Sequence, residues 1–239
     1  MPERGGAVSP ALPVPDPDCG ICPRLRDLRR ECRTAHPDWH AAPVPSFGPI
    51  DAPILIVGLA PGLRGANRTG RPFTGDFAGV LLYETLLRLG LANGVYAADP
   101  ADGLVLAHCR ITNAVRCVPP DNKPIRAEIE GCRRFLAAEL AAMQRLASIL
   151  ALGSIAHDAV LACLSLRRSA YPFGHGVRHD LPSGRVLIDS YHCSRLNTNT
   201  GRLTPAMFAE VVAGVAAAAG LAVPAGASPV PATAEFTRR

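Results

Sequence analysis

The sequence predicts an α/β fold, with a mostly parallel sheet covered by helices on both faces. Three observations carry that prediction. Short apolar, β-branched runs alternate with longer segments whose apolar residues recur at helical spacing. One stretch, "GVRHDLPSGRVLIDSYH", instead pairs two runs across "PSG" and reads as a hairpin whose second arm is buried. The chain has 239 residues, 48% of them hydrophobic, enough for one sizeable core.

Taken in order, residues 1–17 are rich in Pro and small residues and predict a disordered tail. A single domain then runs over 18–223, with no repeat and no dividing linker. "ILIVGL" is a buried strand, and "FAGVLLYETLLRLG" is an amphipathic helix ended by Gly90. "RITNAVRC" is a short strand leading into the loop "VPPDNKP", and "IRAEIEGCRRFLAAELAAMQRL" is a long helix. "SILALG" is a strand, "SIAHDAVLACL" a helix, and the hairpin follows. "TPAMFAEVVAGVAAAAG" is the last helix, with Thr204 as N-cap and Pro205 in its first turn. Residues 224–239 form a second disordered tail. In such sheets ligands bind outside the carboxyl ends of the strands. Three polar loops lie at such ends.

The net charge of +5 comes almost wholly from Arg, Lys123 being the sole Lys. Arg grips phosphate bidentately and stacks on bases, so the chain fits nucleic acid. A GC-rich genome also produces Ala, Arg and Pro together, and charge alone favours that explanation. The N-terminus lacks the apolar stretch of a secretory signal, and "VVAGVAAAAGLAV" is too short to span a bilayer. A cytosolic protein without membrane contact is expected, in which disulfides are disfavoured and clustered cysteines point to metal.

Four of the eight cysteines form such a pattern. Cys19 and Cys22 have the C-x2-C spacing that lets two thiolates hold one centre. They lie beside Pro23 in what reads as an irregular N-terminal segment. Cys117 and Cys132 join a loop to the first turns of a helix. Four thiolates suit a [4Fe–4S] cluster or structural zinc. Cys32, Cys109, Cys163 and Cys193 read as buried free thiols.

The three loops, "GLAPGLRGANRTGRPFTGD", "ITNAVRCVPPDNKP" and "HCSRLNTNTGRLT", together with the four cysteines, resemble the family 5 (B-type) uracil-DNA glycosylases over roughly residues 18–220. The resemblance implies a three-layer α/β/α sandwich and a structural [4Fe–4S] cluster held by Cys19, Cys22, Cys117 and Cys132. It also implies excision of uracil, and of other deaminated bases such as hypoxanthine, from DNA.

A glycosylase holds an extruded base and stabilises an anionic leaving group opposite a cationic sugar. The first loop lacks the Gly-Lys-Ser/Thr of a P-loop and the G-x-G-x-x-G pattern, and reads as the floor and wall of a base pocket. Gly58, Leu59 and Ala60 offer backbone to the base, and Phe73 stacks on it. Asp76 resembles the acidic residue near the attacking water, and it also precedes a helix as a good N-cap. Arg64, Arg68 and Arg71 stand within reach of phosphates or are solvated loop charges. An Asn amide matches a pyrimidine edge. By resemblance Asn113 recognises the base, and Asn122 lies at the active site and helps place water. By the same resemblance His192 donates to uracil O2, although Cys193 stands where the wider superfamily has Pro. Ser194, Arg195 and Asn197 are expected at DNA, and Leu196 is placed like the apolar wedge that fills the gap left by the extruded base.

The resulting expectation is a monomeric, monofunctional glycosylase acting on DNA, with no Lys in a nucleophile position and so no lyase chemistry. The alternatives are a relative specific for another damaged base, a non-enzymatic nucleic-acid-binding module stapled by zinc, and, disfavoured, a nucleotide hydrolase.

Overall fold

The computed structural model describes residues 12–224. Helix α1 (Pro23–Ala35) is followed by β1 (Ile54–Gly58), α2 (Ala66–Thr69), α3 (Phe77–Arg88), and the paired short strands β2 (Ala92–Asn93) and β3 (Val105–Leu106). Then come β4 (Cys109–Asn113), α4 (Arg126–Ala142), β5 (Ser148–Leu152), α5 (Ser154–Cys163), β6 (Arg178–Asp180), β7 (Val186–Ser190), α6 (Arg195–Asn199) and α7 (Pro205–Ala218).

The main sheet has the order β4-β1-β5-β7-β6. Its first four strands are mutually parallel, and β6 is an antiparallel edge paired to β7. Strand alternation separates two cores. Ile54 and Ile56 of β1 face α3 and α7, among Leu82, Leu86, Phe208 and Val212. Leu55 and Val57 face α4 and α5, among Leu136, Leu140 and Val160. Helix, sheet and helix thus form the three layers expected.

The helix ends follow their sequence signals. Asp76 Oδ1 accepts from Gly79 N–H at the start of α3 (3.1 Å), and Thr204 Oγ1 accepts from Met207 N–H ahead of Pro205 in α7 (3.2 Å). Gly90 takes the left-handed conformation just past α3 (φ 71°).

The N-terminal segment departs from expectation. Residues after Cys22 are helical, not irregular, with Pro23 at the first position of α1. The buried stripe is Leu25, Arg29 and Cys32, and a cation at its centre hides the apolar face from a periodicity reading. Arg29 is buried because its guanidinium donates to the carbonyls of Pro17 (2.6 Å) and Cys19 (2.5 Å). The expected tails lie outside the described residues, except for 12–17 and 224. No helix among the described residues is long and apolar enough to cross a membrane.

Candidate active site

The carboxyl ends of β1, β4 and β7 open onto one cleft of ≈ 800 Å³. Leu59, Ala60, Phe73, Asp76, Asn113, Asn122, His192, Ser194, Arg195 and Leu196, expected from the sequence, all line it.

Gly58, the last residue of β1, is in register with Asn113 of β4 and lies buried behind the cleft rather than on its wall. A methyl group on Gly58 would lie 2.4 Å from Asn113 Oδ1 and 2.6 Å from Phe73 Cζ. The ring and the amide therefore rest directly on backbone. Phe73 is buried, as a core residue would be, yet it also lines the cleft. Its φ is 53°, a left-handed conformation that costs a bulky residue energy. Asn113 is buried, and its Oδ1 has no hydrogen-bond partner. A buried, unpaired amide oxygen on a residue that lines a cleft is available to a donor.

Asp76 is both cap and cleft residue. Oδ1 takes the cap bond, while Oδ2 faces Gly62 and Gly65, where added methyls would lie 3.1 and 2.4 Å from it. Burial raises its carboxyl above the ordinary range, against the backbone N–H groups of Gly79 and Ala78. Across the cleft, burial pushes the His192 imidazole down to about 4, so near pH 7 it is neutral and carries one N–H. The rings of Phe73 and His192 stack with centroids 5.9 Å apart. Asn122 sits on the opposite wall, in a pair of left-handed residues with Asp121 (φ 55° and 53°), which their short polar side chains tolerate.

The segment carrying His192 is fastened from behind. Both ring nitrogens of His157 face acceptors, Asp189 Oδ1 at 2.7 Å and the Tyr171 carbonyl at 2.8 Å. Burial opposes the charge, yet Asp189 and the Tyr171 carbonyl together outweigh it and raise the ring above its ordinary value. Farther along, Asn197 Nδ2 donates to the His192 carbonyl (2.8 Å). Ser194 caps α6 by accepting from Asn197 N–H (3.4 Å), and Leu196 is 73% exposed at its start.

Besides Gly58, three assignments change. Asn197 does not line the cleft; its amide braces the His192 loop. Arg68 also lies off the wall, its Nε bonded to the Arg64 carbonyl (3.0 Å), and Arg64 lines the cleft instead. Arg71 reaches no phosphate. It is buried, bidentate to Asp102 (2.8 and 2.7 Å), with its guanidinium against the rings of Phe47, Tyr83 and Tyr96. Sequence reasoning also missed wall residues, among them Leu63, Phe77 and Lys123. Phe77 and Lys123 adjoin Asp76 and Asn122, which was the available signal.

Cys19, Cys22, Cys117 and Cys132 converge beneath this loop system on one small apolar pocket, with Ile21, Leu25, Val115 and Phe135 around them. Burial is the main force raising the Cys22 and Cys117 thiols, to about 11 and about 12, and the neighbouring cysteines add to it. Arg29 lines the same pocket, and its buried Nε has no partner. A fixed cation with a free N–H beside four thiols fits an anionic thiolate centre. The other four cysteines are free thiols, with Cys32, Cys109 and Cys193 buried and Cys163 partly so.

The thiol pocket and the cleft are joined. Arg24, two residues past Cys22, donates to the Lys123 carbonyl (3.0 Å) and to Glu128 (2.7 and 2.9 Å). Glu128 in turn accepts from Ile125 N–H (2.9 Å). The loop carrying Asn122 is thus held between Cys117 and α1.

The chain is similar to known proteins over most of its length. Residues 45–216 match the model of the uracil DNA glycosylase superfamily. The chain is 47% identical to a type-5 uracil-DNA glycosylase of Thermus thermophilus, over 85% of this chain and 94% of that one. It is 43% identical to a type-5 enzyme of Mycobacterium leprae, over 87% and 94% of the two chains. It is 40% identical to one of Pyrobaculum aerophilum, over 85% and 90%.

Proposed function

The chain belongs to the uracil-DNA glycosylase superfamily, and on that premise we propose how its cleft hydrolyses the N-glycosidic bond of uracil in DNA. The observation that carries the reading is the buried Asn113 amide, with an unpaired oxygen, beside Phe73 on the cleft wall, both packed against Gly58 where no side chain fits. Uracil presents an N–H donor flanked by carbonyl acceptors, and one amide complements such an edge. Phe73 stacks on the base, and neutral His192 donates to uracil O2 as negative charge develops there. Asp76 Oδ2 and Asn122 place the water that attacks the cationic sugar, and the carboxylate favours that cation. Leu196 fills the space left in the stack, with Arg64, Lys123, Ser194 and Arg195 at the phosphates.

Lys123 stands on the cleft wall, where no lysine was expected. It is exposed, whereas nucleophilic lysines are desolvated, and it serves as a phosphate contact. Borohydride trapping of a covalent adduct with DNA would overturn that assignment. Other deaminated bases, hypoxanthine among them, fit the same class of chemistry, as does a monomer working on DNA in the cytoplasm.

Cys19, Cys22, Cys117 and Cys132 would hold a [4Fe–4S] cluster. When bound it supplies a structural staple and no part of the reaction. Iron and acid-labile sulfide in anaerobically purified protein are the expected result, and zinc alone would refute it.

The function itself is tested by single-turnover excision from a duplex bearing one uracil. Abasic sites are expected. Intact, iron-loaded protein that leaves uracil in place would remove the reading, and hypoxanthine would be the next substrate.

A further inference from the structure

The excursion between β2 and β3 carries residues that the reaction does not use. From it, Tyr96 donates its hydroxyl to the Phe73 carbonyl (3.1 Å). The same hydroxyl lies 2.5 Å from where a methyl on Gly79 would stand, and that methyl would lie 1.7 Å from the Phe73 carbonyl oxygen. The hydroxyl, the carbonyl and the first turn of α3 therefore meet at one point, and Asp76 caps that same turn through Gly79.

Around this point the loop is held at every residue from 71 to 74. Arg71 pairs with Asp102, and its Nε donates to Thr74 Oγ1 (2.7 Å). Tyr83 donates to the Pro72 carbonyl (2.5 Å). Thr69 Oγ1 donates to the Thr74 carbonyl (3.0 Å). Asp102 accepts from Ala97 N–H (2.9 Å) and Leu104 N–H (3.0 Å), closing the excursion on itself. The Tyr96 and Tyr83 rings pack with centroids 4.7 Å apart, beside the Arg71 guanidinium.

We propose that Tyr96 is a positioning residue. Its hydroxyl fixes the Phe73 ring in its left-handed backbone conformation and sets that ring against Asp76, so that one phenol aligns the base-stacking surface with the water-placing carboxylate. The proposal rests on the glycosylase reading of the cleft. Tyr96 touches neither base nor sugar and acts through Phe73 and the start of α3. Other bonds hold Arg71, Pro72 and Thr74, whereas the bond to the Phe73 carbonyl comes from this hydroxyl.

Tyr96→Phe tests it, since the ring and its packing on Tyr83 and Arg71 remain while the hydroxyl goes. Excision of uracil in single turnover should slow about five- to tenfold, the worth of one such hydrogen bond. Affinity for a duplex carrying a stable abasic-site analogue should stay within about twofold. Combined with Phe73→Leu, Tyr96→Phe should add less slowing than it does alone, because part of its effect runs through the Phe73 ring. A hydroxyl that served stability alone would lower the melting temperature and leave single-turnover excision at the wild-type rate. Wild-type rate in Tyr96→Phe, or full additivity with Phe73→Leu, overturns the proposal. Loss of uracil excision by the wild-type enzyme overturns the underlying reading instead, so the two failures are distinct.

Discussion

Replacing Gly58 by Ala adds one methyl group where the structure has no room. The new carbon would sit 2.6 Å from Phe73 Cζ, and ordinary contact begins at 3.4 Å, so the ring must retreat by about 0.8 Å. Asn113 Oδ1, at 2.4 Å, must move by about 1 Å. The strand cannot yield in their place, because β1 is buried throughout and paired on both sides. Overpacking of this kind costs about 1–3 kcal/mol of stability. Displacement of reactive geometry by about 1 Å costs on the order of 100-fold in rate. Gly58→Ala should therefore fold, bind duplex with near-normal affinity, and excise uracil about 100-fold more slowly in single turnover. Thermal melting and a binding titration on the same sample separate the two effects. A variant that melts lower but cuts at the wild-type rate would refute the argument, because the positions of Phe73 and Asn113 would then not set the rate.

Other outcomes follow from the same geometry. Asp76→Asn keeps a good cap, so stability should change by only a few tenths of a kcal/mol, whereas Asp76→Ala loses about 1 kcal/mol; if the carboxylate favours the sugar cation, both slow excision, and an Asn variant at full rate would reduce Asp76 to a cap. Burial depresses His192 to about 4, so in the unfolded chain it takes its proton first as the pH falls. Its contribution to stability is complete above about pH 6.5 and is lost as the pH drops toward 4, and His192→Gln should flatten that acid limb of a melting-temperature profile while cutting excision by orders of magnitude. Leu196 is 73% exposed, so Leu196→Ala should leave melting unchanged and slow excision from duplex more than from single strands, which have no stack to refill; equal slowing on both would deny it the wedge role.

The strands and most helices were legible because their signals are local. β1, β4, β5 and β7 are runs with both faces buried, and Asp76, Thr204 and Gly90 mark helix ends by chemistry that needs no tertiary context. Cleft residues were legible where a loop leaves a strand's carboxyl end. Helix α1 was not, because Arg29 holds the centre of its buried face through carbonyls of a segment without regular structure. Arg71 was misread for a related reason. An arginine in a glycine-rich loop looks solvent-facing until Asp102, 31 residues away, is brought to it. Tyr96 carried no signal at all, since its bond to the Phe73 carbonyl spans 23 positions and obeys no periodicity.

The bonds from Arg24 to Lys123 and Glu128 span 99 and 104 positions. They have a consequence for biosynthesis. The first cysteines leave the ribosome well before Cys117 and Cys132 exist, and the apolar cluster around Leu25 of α1 is incomplete until Phe135 is made. Contacts so far apart in sequence close slowly and late. The amino terminus is thus the earliest segment translated and among the last to be seated, and the Asn122 loop matures only with it. A chain stalled ahead of α4 has already made β1 and β4, yet lacks the means to set the Asn122 loop.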